Sequence, residues 1–301
     1  MRLSLIIPCA KQDEPQLQAL LASIDRQVFP KEELEILIMR QGNSEEAKAY
    51  GIQQAQGEIL GLLCADNELL QTNFLSDLVT AAEDAHVVGA YPARYAWVPQ
   101  DTSLNRYFAL LGANDPLCWW LGKADRRSYL SESQEGQYTV SFPTAIPSIG
   151  DNGFFVKAQA IKPFVTDPSR HFCIDVCEDM RRTGLATYAV TDHTIWHKTG
   201  LSFWTWLKKR WRYTNELYWR DYAKRRWRMV SGPKDWWGCL TFALASALLV
   251  PHLWVGILGY RRVKDPAWFL HPLVCFCLTC LYTWAMIQHA LHLLLPRAPS
   301  N

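Results

Sequence analysis

Two long stretches without a formal charge, 236–260 (25 residues) and 267–295 (29 residues), constrain this chain more than any other feature. At 1.5 Å per helical residue either one reaches across a hydrocarbon core of about 30 Å. Pro251-His252 interrupts the first run, so it reads as a simple span or as a broken, re-entrant helix. Two spans are the expectation adopted. The preceding stretch supports contact with lipid: between Lys208 and Lys234 stand ten Lys or Arg against only Glu216 and Asp221. Trp204, Trp206, Trp211, Trp219 and Trp227 and Tyr213, Tyr218 and Tyr222 are interleaved with that charge. Indole rings at headgroup depth and cations facing anionic lipid make such a stretch a membrane-interface segment. Nucleic acid attracts the same residue types, but a stretch leading directly into apolar runs is not a nucleic-acid binder.

The first 200 residues have a different character, and the average net charge of +2 describes neither part. A chain of 301 residues accommodates one α/β domain of about 200 residues and a smaller element. The apolar run at the N-terminus meets Lys11, Asp13 and Glu14 too soon for a signal peptide, so the first domain is expected in the cytosol. The positive-inside rule gives the same orientation, although Arg261-Arg262-Val263-Lys264 would then lie on the far side of a two-span anchor. Nine cysteines, three of them at 275, 277 and 280 within an apolar run, do not form a secreted disulfide framework. The Cys277/Cys280 pair has CxxC spacing but reads as small packing residues.

Leu3 to Pro8, Leu34 to Met39 and Ile59 to Cys64 are short apolar runs closed by turn residues, and Leu17, Leu20, Leu21 and Ile24 recur at helical spacing between the first two. This alternation predicts an α/β, mostly parallel sheet with helices on both faces. Such sheets bind ligands at the carboxyl ends of their strands, which places a site near Pro8, Gln41 and Asp66. Further on, 86–97 and 188–196 read as strands, 148–153 as a glycine-bearing loop entering the apolar Phe154-Phe155-Val156, and 175–183 as a helix closed by Gly184.

The order Leu5-Ile6-Ile7-Pro8, a Leu-rich helix, Glu35 to Met39, then Ala55-Gln56-Gly57-Glu58-Ile59 resembles the opening of family 2 glycosyltransferases of the GT-A fold. The similarity extends loosely to about residue 200. It implies inverting transfer from a nucleotide-sugar donor, with a divalent cation (Mg²⁺ or Mn²⁺) held at an Asp-x-Asp motif. Here that position reads Cys64-Ala65-Asp66, so one Asp remains as the expected metal and diphosphate residue; as a plain turn it would cap a helix. Where the family has an acidic turn for the base, this chain has Arg40-Gln41-Gly42-Asn43, and the Gln41 amide oxygen is the remaining acceptor. The resemblance sets the general base on Asp175 or, in a second register, on Asp179 beside Glu178. It sets a diphosphate or metal contact on His197 and an acceptor-side loop at Asn152-Gly153, which also reads as a simple turn. Arg210-Trp211 partly matches a Gln-x-x-Arg-Trp motif in which Leu207 replaces the Gln.

Three segments are therefore expected: a GT-A domain over 1–200, a basic aromatic interface segment over 201–235, and an anchor over 236–301 with spans at about 236–260 and 267–295. The expected activity is glycosyl transfer to a lipid-linked acceptor, with the catalytic domain on the cytosolic side of an inner or plasma membrane as part of cell-envelope polysaccharide or glycolipid synthesis. The lost acids at 40, 41 and 64 leave a second possibility, a non-catalytic membrane scaffold.

Overall fold

The computed structural model describes residues 1–132, 136–215 and 224–294. Tyr218, Trp219, Tyr222, Glu216 and Asp221 of the interface segment, and the end of the second apolar run at Leu295, lie outside the described residues.

Eight strands form one sheet: β1 (Leu3–Pro8), β2 (Leu34–Met39), β3 (Ile59–Leu62), β4 (Asn67–Leu69), β5 (Gly89–Tyr95), β6 (Tyr138–Ser141), β7 (Phe154–Lys157) and β8 (Thr187–His197). Their order is β2-β1-β3-β7-β5-β8-β4, with β6 also paired to β8. The sheet is mixed, which corrects the expected mostly parallel arrangement. β1 is parallel to β2 and β3, and β5 to β8, but β7 runs antiparallel to both β3 and β5, and β4 and β6 run antiparallel to β8. Apolar runs buried on both faces carry no sign of direction, so inserting β7 the other way leaves no trace in periodicity.

Alternation along β1 feeds two cores. Leu3, Leu5 and Ile7 face α1 (Glu14–Asp25) and, later in the chain, the 74–83 helix, while Ile6 faces the opposite layer. That layer holds α2 (Ser44–Gln54) and the 173–182 helix. In chain order the remaining helices are α3 (Phe74–Glu83), α4 (Ser103–Leu111), α5 (Pro116–Trp120), α6 (Ala158–Ile161), α7 (Cys173–Arg182), α8 (Phe203–Tyr213), α9 (Pro233–Leu248), α10 (Val250–Arg262) and α11 (His271–Leu294).

A third core joins α4 and α5 to α8, α9 and α11, with Tyr107, Phe108, Trp206, Phe242, Trp268 and Leu278 at its centre. Asp265 reinforces it from the turn before α11. Its carboxylate accepts from Arg106 Nε and Trp97 Nε1, both at 2.7 Å. The C-terminal helices are thus packed against the sheet domain.

The first apolar run is not one continuous helix. α9 and α10 meet at 87°, at Leu249 with φ +62°. Pro251 supplies no N–H to continue the α9 ladder, and its ring crowds the preceding turn. Among the described residues one helical run, Pro266–Leu291, is by itself long and apolar enough to cross a membrane, where two such helices were expected; α9 and α10 reach that length and apolarity only as a bent pair. α11 buries Val274, Cys275, Leu278 and Ala285 against the protein. Leu273, Phe276, Trp284, Ile287 and Leu291 form an exposed stripe on its other side, and Trp236, Trp237, Leu240, Leu244 and Leu248 form another along α9.

Candidate active site

One edge of the sheet gathers the polar side chains. β1, β2 and β3 end there at Pro8, Met39 and Leu62; β7, running the other way, starts there after Asp151, Asn152 and Gly153; and β8 ends there at His197. Pro8 is buried at the end of β1, and Gln41 is exposed at the rim in the turn after β2. Asn43 then starts α2 with a capping box, its Oδ1 accepting from the Glu45 and Glu46 amides.

β4 sets Asn67 opposite His197, and the Lys198 amide donates to the Asp66 carbonyl at 2.7 Å. Asp66 Oδ2 consequently lies 3.3 Å from His197 Nε2. Burial raises the cost of charging either group, but each stabilises the other's charge. The Asp66 carboxyl ends below its ordinary range, and the His197 imidazole ends above its usual value. Lys209, on α8, adds positive charge near the carboxylate. Asp66 Oδ1 is buried and has no hydrogen-bond partner among the described residues. A water or a cation would satisfy a carboxylate oxygen in that condition.

Asp151 is the acid that sequence reasoning missed. Its Oδ1 accepts from the Cys64 thiol at 3.1 Å, and its Oδ2 pairs with Lys48 Nζ at 2.6 Å. Lys48 is 1% exposed and also holds Glu45 at 2.8 Å. Burial works against its charge, yet the two carboxylates keep its pKa well above the ordinary lysine value. His171 and Cys173, at the start of α7, border this cluster, and burial drives His171 down to about 4.

Asn152 and Gly153 are locked. Asn152 has φ +53°, its Oδ1 accepts from Asn67 Nδ2 at 3.0 Å, and its carbonyl accepts from Arg126 Nη2 at 2.6 Å. Gly153 has φ +85°, a backbone conformation that favours glycine, and a Cβ there would stand 2.9 Å from the tip of Ile195, Cδ1.

The two candidate bases each have partners of their own. Asp175 is buried and closed: Arg225 contacts both its oxygens at 2.9 and 3.2 Å, and the Trp227 amide donates at 2.9 Å. Asp179, a quarter exposed, pairs through Oδ2 with Arg226 at 2.5 Å. Burial outweighs that pair and raises its pKa above the ordinary aspartate value. Among the described residues, no hydrogen bond or ion pair joins either carboxylate to Asp66, His197 or Asp151.

No protein-family model and no curated protein matches the chain. Solved structures do. Mannosyltransferase PcManGT from Pyrobaculum calidifontis, in complex with GDP-Man and Mn²⁺, superposes with a TM-score of 0.50 at 12% identity, covering 94% of this chain and 87% of that one. The fold is of the GT-A glycosyltransferase type. TarS 1–349 of S. aureus, solved with UDP and with UDP-GlcNAc, matches at TM-scores of 0.46 and 0.45 with 12% and 14% identity, each covering 91% of this chain and 90% of the other.

In this GT-A-type sheet, Asp66 and His197 bring a carboxylate and an imidazole to one point of the carboxyl edge, with Lys209 contributing from beyond residue 200. That edge can hold a cation on the carboxylate and an anion on the imidazolium and ammonium. Asp151 precedes the expected Asn152-Gly153 by one residue, and only its contact with Cys64, 87 positions away, reveals it. Lys209 was visible in sequence only as one charge in a basic run.

Proposed function

We propose that the chain is an inverting glycosyltransferase that moves a sugar from a nucleotide-sugar donor to a lipid-linked acceptor at the cytosolic face of a membrane. The observation that carries this reading is the buried, unpartnered Asp66 Oδ1 at the carboxyl edge, with His197 and Lys209 beside it. The unused oxygen suits Mg²⁺ or Mn²⁺, which needs only one or two protein carboxylates when substrate phosphates and water complete its shell. Such an ion, when bound, neutralises charge developing on the leaving diphosphate. The mannosyltransferase of the same fold holds Mn²⁺ with GDP-Man.

Under this reading Pro8 and Gln41 line the base end of the donor, and Asn152-Gly153 brings rigid backbone to the acceptor side. The acceptor oxygen bonds to the anomeric carbon as the bond from that carbon to the diphosphate oxygen breaks on the opposite face. A hydroxyl acceptor gives its proton to a carboxylate, and Asp179 suits this better than Asp175, whose oxygens are both occupied. A phosphate acceptor such as a polyprenyl phosphate arrives ionised and needs no base. The lipid part of the acceptor follows from the exposed apolar stripes of α9 and α11, since apolar surface of this extent marks a partner or a bilayer. The segments 1–200, 201–235 and 236–301 then divide the work into donor binding, interface contact and anchoring, across a shared core.

The test is a panel of nucleotide sugars offered to the full chain in detergent, with and without Mn²⁺. The expected result is Mn²⁺-dependent binding or turnover of one donor, lost in Asp66→Ala. Equal behaviour of Asp66→Ala and the parent with every donor would refute the proposal. One observation favours a non-catalytic scaffold, namely the closure of Asp175 by Arg225 and Trp227. A scaffold should complement a null strain with Asp66→Ala and Asp179→Asn combined, and a transferase should not.

A further inference from the structure

The helical layer contains a second concentration of chemistry, far in sequence from Asp66. His252, two residues into α10, and His271 and Cys275, on the first turns of α11, are each 0% exposed. Their candidate ligand atoms lie within 4.8 Å of one another. We propose that these three side chains bind one Zn²⁺ ion, which ties the bend of the first apolar run to the start of α11.

The spacing fits. Ligands held tetrahedrally at about 2.0–2.1 Å (nitrogen) and 2.3 Å (sulfur) stand about 3.6 Å apart. Cys275 Sγ is 3.6 Å from His271 Nε2. His271 Nδ1 is meanwhile engaged by the Tyr107 hydroxyl at 2.7 Å, the outer contact that fixes a ligating imidazole's tautomer and turns its other nitrogen to the ion. His252 Nε2 has Ser246 Oγ at 3.1 Å, and Ser246 in turn accepts from Thr279 at 3.0 Å, so the second imidazole is also held from outside. Two nitrogens and a thiolate are the donors a borderline-soft ion selects. The fourth position falls to a water. Uptake exchanges the Cys275 thiol proton for the ion, and that proton leaves to solvent.

The setting explains what the ion would do. Pro251 prevents α9 from continuing into α10, so backbone hydrogen bonds do not fix the 87° turn. An ion bound next to that turn holds α10 and α11 together on α4, which contributes Tyr107. The other cluster of metal-capable groups, Glu45, His171 and Cys173, lacks this fit: Lys48 Nζ is hydrogen-bonded to Glu45 at 2.8 Å and already supplies its cation.

The test is metal analysis of the full chain purified in detergent without chelator, with added Zn²⁺ as probe. The expected result is close to one zinc per chain, lost in Cys275→Ser and in His252→Asn and retained in His171→Asn. Cobalt loading gives a second readout: a thiolate-to-cobalt absorption band present in the parent and missing in Cys275→Ser. A zinc chelator should lower the Tm of the parent, and Zn²⁺ should restore it, so the proposal stays testable if a variant fails to fold. Zinc-free parent protein whose Tm does not respond to Zn²⁺ would overturn it, as would zinc retained in both Cys275→Ser and His252→Asn. Donor binding through Asp66 is independent of either outcome.

Discussion

His197 should make donor binding fall as pH rises. The Asp66 carboxylate holds the His197 pKa above its usual value against the opposing effect of burial. A raised pKa means that the imidazolium, and the stability it contributes through Asp66, is fully present below about 6.5 and is lost as pH rises through the folded value. Asp66, depressed, keeps its charge above its ordinary value and loses it as pH falls through its lower folded one, so the pair is intact between those limits. Once His197 is neutral, the Asp66 carboxylate faces the donor diphosphate without its counter-charge. The His197 side chain is 14% exposed and the Asp66 side chain 22%, so solvent screens little of the effect. Losing one charge-assisted hydrogen bond costs about 1.5–3 kcal/mol, or about 10- to 150-fold in affinity.

The assay is calorimetric titration of a nucleotide sugar from pH 5.5 to 9, since its diphosphate diester does not itself ionise there. The parent should weaken across that range, His197→Gln should be weak and flat, and His197→Lys should be stronger and flat. Equal slopes in the parent and His197→Gln would refute the assignment.

Asp179→Asn should lower kcat by about 10²–10⁴-fold with a hydroxyl acceptor and leave it nearly unchanged with a phosphate acceptor, as read by single-turnover kinetics with both. Asp175→Asn should instead act on stability, because it breaks the buried ion pair with Arg225 at a cost of about 3–5 kcal/mol; donor affinity normalised to folded protein should not move. Asp265→Ala should cost a similar amount, because it removes the carboxylate that pairs with Arg106, whose guanidinium keeps only the Pro99 and Asp101 carbonyls, and takes the acceptor from Trp97 Nε1. At roughly 2 °C per kcal/mol for a chain this long, its Tm should fall by roughly 6–10 °C in a single transition, whereas two separated transitions would refute the shared core. Gly259→Ala places a Cβ 2.2 Å from Trp268 Cδ2 and should cost about 1–3 kcal/mol in the same melt.

Strand existence was legible from short apolar runs closed by turn residues. β1, buried on both faces, coincides with Leu3 to Pro8, and the half-buried edge strand β2 coincides with Leu34 to Met39. The carboxyl-edge position of Asp66 was legible for the same reason, as the first turn residues after such a run. Direction was not, since it depends on where the chain returns, and β7 returns reversed between β3 and β5. The bend at Leu249 was half legible: Pro251 announces a break, but only the packing of α9, α10 and α11 shows the angle. Contacts that close a residue's chemistry were not legible at all. Nothing near Asp175 in sequence indicates that Arg225, 50 positions later, takes its carboxylate.

The substitution at 64 has the same long-range character. In sequence it is a lost acid, a cysteine where the resemblance leads one to expect the first Asp of a pair. In space the acid returns from the loop before β7, because Asp151 lies against the Cys64 thiol. Burial and then the Asp151 and Asp66 charges push that thiol's pKa well above the ordinary value, so it stays protonated and donates to Asp151. An aspartate at 64 would set two carboxylates against each other with one buried cation, Lys48, already shared between Asp151 and Glu45. A neutral donor at 64 and an anion at 151 therefore require each other. The edge keeps two carboxylates, Asp66 and Asp151, and its acid count cannot be read from the Cys64-Ala65-Asp66 segment alone.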